Sequence, residues 1–170
     1  MNKTAMMEMW EQVRLAAGIA LRAVEALPAD RLDAHPIRDM RTPRELVVHM
    51  FATIRAFAEG ALSGEIKAGH DAVPAGVTTR DELVAWCRAT WDAANRAVTA
   101  TTDAHATAMV KTPWGVTFPG IACIGAAHTE LLHHRGQLYA YLRQLGVEPP
   151  MLWDIANSAP EFRPRQAAQA

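Results

Sequence analysis

The sequence predicts an all-α fold, a four-helix bundle, and three observations carry that expectation. Four segments of roughly 20 residues or more are rich in good helix formers and bounded by capping or breaking residues. No strand-like alternation of any length interrupts them. The connections are of moderate length, which suits helices packed side by side in an up-down-down-up or related topology.

The first segment runs from about Thr4 to Leu27, and Leu27-Pro28-Ala29-Asp30 stops it. The second opens at Thr42-Pro43-Arg44-Glu45. Thr42 suits the N-cap, Pro43 the first helical position, and Glu45 completes a capping box; the helix reaches about Leu62 before Gly64. A Gly- and Pro-bearing loop covers 63–77. Thr79-Arg80-Asp81-Glu82 repeats the capping box and opens the third helix, to about Ala100. The breakers Pro113, Trp114-Gly115 and Pro119-Gly120 make 112–120 a loop or short hairpin. The fourth segment spans about Ile121 to Leu145, with Gly146 as C-cap and Pro149-Pro150 forbidding continuation. One domain is expected over 1–158, with 159–170 a flexible tail.

Composition narrows the function classes. The chain has 170 residues, enough for one domain with a sizeable core. A formal net charge of -1 gives no electrostatic reason to expect nucleic-acid or anionic-membrane binding. Cys87 and Cys123 are far apart and form no CxxC pattern, so reduced thiols and a cytoplasmic location are expected. No secretory leader and no membrane-length apolar run is evident. There is no Gly-rich phosphate loop, nucleophile elbow or HExxH.

Seven His make metal or acid–base chemistry the class to pursue. The fourth segment contains His128-Thr129-Glu130-Leu131-Leu132-His133-His134-Arg135-Gly136-Gln137. At about 100° per residue, Glu130 and His134 lie one above the other, with Gln137, Tyr141, Ala126 and Ala127 on the same side. His133 points about 60° off Glu130, and His128 faces away with Leu132, Arg135 and Tyr139. A carboxylate and an imidazole so spaced can chelate one ion, but a third ligand must come from another helix. His49 is the candidate, since Thr53, Ala56 and Gly60 on its side are small and leave room. The plainer alternatives are a core-edge His bonded to a carbonyl and an intrahelical Glu130–His134 hydrogen bond.

His134-Arg135-Gly136-Gln137-Leu138, then Tyr141-Leu142-Arg143, Gly146 and Pro149-Pro150, resembles the last-helix motif of the DinB/YfiT-like family. Arg44-Glu45-Leu46-Val47-Val48-His49 is similar to its second-helix segment. The resemblance implies a four-helix bundle holding a metal, often nickel or zinc, with three His. His49 and His134 match two of them, while the middle position falls on Glu130. Either Glu130 replaces that His, or His128 or His133 compensates, or metal binding is weakened. The set His49, Glu130 and His134 is a two-His, one-carboxylate site that also admits iron or manganese.

Around it, Gln137, Trp114 and His133 are expected in a supporting or pocket role; Trp86 and Trp91 are expected in the core. Cys123 reads as a small buried hydrophobe. The wide apolar arc of the fourth segment, together with the resemblance, implies a homodimer. Function is expected to be activation of a low-molecular-weight thiol or water for attack on a small electrophilic substrate, as in thiol transferases or hydrolases. The alternative is a non-enzymatic, stress-associated metal-binding dimer.

Overall fold

A computed structural model describes residues 2–69 and 71–165. Four long helices form the body: α1 (Lys3–Glu25), α2 (Pro43–Ser63), α3 (Arg80–Ala100) and α5 (Gly120–Gln144), with a short α4 (Asp103–Thr107) between the last two. The caps do what the sequence says. Thr42 and Thr79 each accept from the backbone N–H three residues on, and Glu45 and Glu82 reach back to the cap backbone. Gly64 and Gly146 stop their helices at φ 84° and 77°, the left-handed conformation that favours glycine.

Of the loop or short hairpin that the sequence allows, the structure has the hairpin. Residues 112–120 belong to a hairpin in which β1 (Met109–Lys111) pairs antiparallel with β2 (Thr117–Pro119). The hairpin is tied to the end of α2, since Ile66 N–H donates to the Lys111 carbonyl at 2.8 Å and Lys111 N–H to that of Gly64 at 2.9 Å. Gly120 is required where the hairpin meets α5, because a Cβ there would lie 2.1 Å from the His105 carbonyl oxygen.

α2 packs against α5 and α3, and α1 against the same two, so α1 and α2 sit diagonally. α2 and α5 run antiparallel. The Tyr141 hydroxyl donates to the Arg41 carbonyl at 2.7 Å at one end, and Gly120 approaches the Ala61 carbonyl at the other. The core is continuous through all four helices, with Trp10 stacked on Trp91 at 4.8 Å. Trp91 is buried as expected, whereas Trp86 packs only against the core's edge and lines a groove beside α2. α2 is the one helix, among the described residues, long and apolar enough to cross a membrane. Its apolar window is 72% buried inside the fold, so its hydropathy serves the core.

Two expectations are corrected. The chain does not leave the fold at Ser158: Pro160–Phe162 forms a 3-10 turn, and Phe162 is buried against α1 and α3. An apolar ring in a polar, proline-bearing stretch was enough to seat it; residues 166–170 lie outside the described residues. The small residues beside His49 do not all make room for an ion. Gly60 makes room for Ile66, whose Cγ1 would lie 2.5 Å from a Cβ there. Most of the apolar arc on α5 is also spent inside the chain, since Leu131, Leu138 and Leu142 are fully buried and Leu132 is exposed.

Candidate metal centre

The antiparallel pairing of α2 and α5 brings His49 level with His134. Their rings meet edge to face with centroids 4.7 Å apart. Glu130, one turn before His134, adds its carboxylate, and one ligand atom from each of His49, Glu130 and His134 lies within 4.8 Å of the others. The three residues could hold a metal ion. His134 is the most enclosed, His49 is intermediate, and the Glu130 side chain is 42% exposed, so the group opens to solvent on the carboxylate side.

Each imidazole is fixed through its other nitrogen. His49 Nδ1 lies 2.7 Å from Asp71 Oδ2, and His134 Nδ1 lies 2.8 Å from Gln137 Oε1. Asp71 Oδ2 is also 3.9 Å from the Arg41 guanidinium. Both partners are acceptors, so both rings carry their proton on Nδ1 and turn a lone pair outward from Nε2; the His134 tautomer follows from the placing of the Gln137 amide. Burial holds the His49 pKa below the usual imidazole range, against the opposing pull of Asp71, which favours the neutral, ligating form.

His134 Nε2 and Glu130 Oε2 are 3.1 Å apart, yet with the proton on Nδ1 both are acceptors. A divalent cation beside both would make that contact favourable. Two imidazoles and a carboxylate, each imidazole oriented by a hydrogen-bond partner, is a donor set that fits a divalent ion.

The remaining expected residues fall into three positions. Gln137 is at the site, and its Nε2 donates to His133 Nε2 at 3.2 Å, so exposed His133 joins the network only through it. Trp114 stands apart at the hairpin, half-exposed, against Phe57 at 6.4 Å. His128 faces the other side of α5, with Leu132 and Arg135. Cys123 is buried, and desolvation pushes its thiol up to about 12, which leaves it inert. Asp71 is the residue that sequence reasoning missed.

The DinB family model matches residues 1–164. Three solved structures share the fold. A DinB-like protein from Bacillus subtilis is 17% identical, covers 85% of this chain and 96% of its own, and has a TM-score of 0.71. A DinB-like protein from Bacillus cereus is 20% identical over 86% of this chain and 94% of its own, at 0.69. A protein assigned to the DinB family from Exiguobacterium sibiricum is 23% identical over 84% and 92%, at 0.63. No curated protein matches.

Proposed function

This chain belongs to the DinB family, and from that premise we propose that it binds a divalent metal, nickel or zinc first, through His49, Glu130 and His134. We propose further that the site activates a small thiol or water for attack on a small electrophilic molecule. The observation that carries the reading is the convergence of His49, Glu130 and His134 on one point, with both imidazoles held from behind.

In this reading the chain's residues divide the work. Asp71 and Gln137 set the tautomers of His49 and His134 and hold the rings in place. Glu130 adds a negative charge, which offsets part of the ion's charge and favours modest activation over fast hydrolysis. A divalent ion held there would supply Lewis acidity, lowering the pKa of a water or thiol that it binds. Three protein donors, one of them on the solvent side, leave access for such a molecule. The two unpaired, buried cysteines support a reducing, cytoplasmic setting.

The first test is metal content after loading with nickel or zinc and dialysis. The unaltered protein should retain stoichiometric metal, and His134→Ala should retain none while circular dichroism shows an intact fold. Retention by His134→Ala would place the metal elsewhere. The second test is a screen of metal-loaded protein with low-molecular-weight thiols and a panel of electrophiles, beside His49→Ala. Equal rates in the two would overturn the enzymatic part and leave a metal-binding protein.

A further inference from the structure

The face of α5 turned away from the metal centre carries three polar groups that make no hydrogen bond or ion pair with a described residue. Arg135 is about 140° around the helix from Glu130, and His128 and Tyr139 lie in the same stripe, seven residues before it and four after. No described residue forms an ion pair or hydrogen bond with Arg135 or His128. The Tyr139 hydroxyl is fully buried and has no partner. Asp154, next to Trp153 at the cavity's edge, is paired with Arg22 at 3.2 Å.

Arg135 and His128 open into a cavity of about 220 Å³ between α1, α5 and the 152–155 segment. Leu15, Ile19 and Leu132 give it apolar walls, and Trp153, 73% exposed, stands at its edge. A liquid water occupies roughly 30 Å³, so this volume corresponds to about seven waters, or to one short organic chain or ring.

We propose that this cavity is a second ligand site, separate from the metal centre, for a small organic monocarboxylate with an apolar body. A carboxylate can engage the Arg135 guanidinium through two parallel hydrogen bonds. His128 adds a ring N–H donor beside it, while the carbon chain takes up the Leu15, Ile19 and Leu132 walls. The Trp153 indole then covers the open side. The site has the general form of a small-molecule pocket, mostly apolar walls with a few convergent polar groups.

The test is calorimetric titration of the full-length protein with hexanoate, phenylacetate and neutral hexanamide, with tryptophan fluorescence as a second readout. Hexanoate should bind saturably at one site, and hexanamide at least tenfold more weakly. Arg135→Gln, folded by circular dichroism, should weaken hexanoate about tenfold to a hundredfold, the range for a lost hydrogen bond to a charged group. His134→Ala, which removes the metal site, should leave hexanoate affinity unchanged. Failure of hexanoate to saturate at millimolar concentration, or equal binding of acid and amide, would overturn the proposal. So would loss of binding in His134→Ala, which would put the carboxylate on the metal. Sedimentation showing a dimer that Leu132→Asp dissociates, with no carboxylate bound, would assign the face to a second copy instead.

Discussion

Asp71 does for His49 what Gln137 does for His134, and the two differ in how they reach the site. Gln137 sits on the same helix, three residues from its partner, and helical periodicity places it. Asp71 comes from a Gly- and Pro-bearing loop, 22 residues along the chain, and no local pattern points to it. The same contrast runs through the whole site. The Glu130–His134 pair was legible because α-helical geometry fixes residues four apart. The meaning of Thr53, Ala56 and Gly60 was not, because whether a small side chain makes room for an ion or for a crossing loop depends on where the loop goes. Orienting partners of metal-bound His typically contribute tenfold to a hundredfold in affinity. Asp71→Ala should therefore weaken metal binding by about that factor, and Asp71→Asn, which keeps an acceptor, by less. Competition with a chromophoric chelator reads this directly. Unchanged affinity in Asp71→Ala would mean that the loop positions His49 by packing alone.

Among the elements, helix ends were the most legible features because their determinants are local. At the start of α3, Glu82 Oε2 accepts from the Thr78 and Thr79 N–H groups at 2.9 and 2.8 Å, and from the Thr78 hydroxyl at 2.8 Å. The side-chain hydrogen bond from Thr78, then those from the backbone, hold the Glu82 carboxyl down to about 2 from its usual 4.5. A carboxylate with a depressed folded-state pKa stabilises the fold above its unfolded pKa and loses that contribution as pH falls through the folded one. Urea unfolding should accordingly show a stability loss between pH 4.5 and 2 that is smaller in Glu82→Gln. Thr79→Ala, which removes the other half of the box, should cost about 1 kcal/mol at neutral pH. If neither variant moves the denaturation midpoint, the box is not what fixes the helix start. The hairpin and α4 were less legible. Strands of 3 residues and a helix of 5 carry too little periodicity, and close contacts such as Gly120 against His105 decide them.

At the scale of the whole molecule, the segment after α5 closes the structure across α1 and α3, on the far side of the bundle from the α2–α5 metal centre. The composition of residues 159–170 misled the sequence reading, because proline, arginine and glutamine outnumber the one aromatic ring there, Phe162. Phe162 packs on Trp91 with ring centroids 5.4 Å apart, and Gly18 admits it, since a Cβ there would stand 2.5 Å from the Phe162 Cβ. Three arginines fasten the segment. Arg14, itself buried, donates to the carbonyls of Glu161 and Arg163; Arg22 pairs with Asp154, and Arg88 with Glu161. Removing a buried Phe side chain costs about 3–5 kcal/mol. In a domain this size each kcal/mol lowers Tm by roughly 2–4 °C, so Phe162→Ala should lower Tm by roughly 6–20 °C. Gly18→Ala should act in the same direction by forcing Phe162 from its seat. Metal affinity at 25 °C should stay within about twofold in both, because distant sites with no shared partners behave nearly independently. Thermal denaturation followed by circular dichroism, run with and without bound metal, separates the two effects. A Phe162→Ala protein melting within 2 °C of the parent would return the segment to the status of a tail.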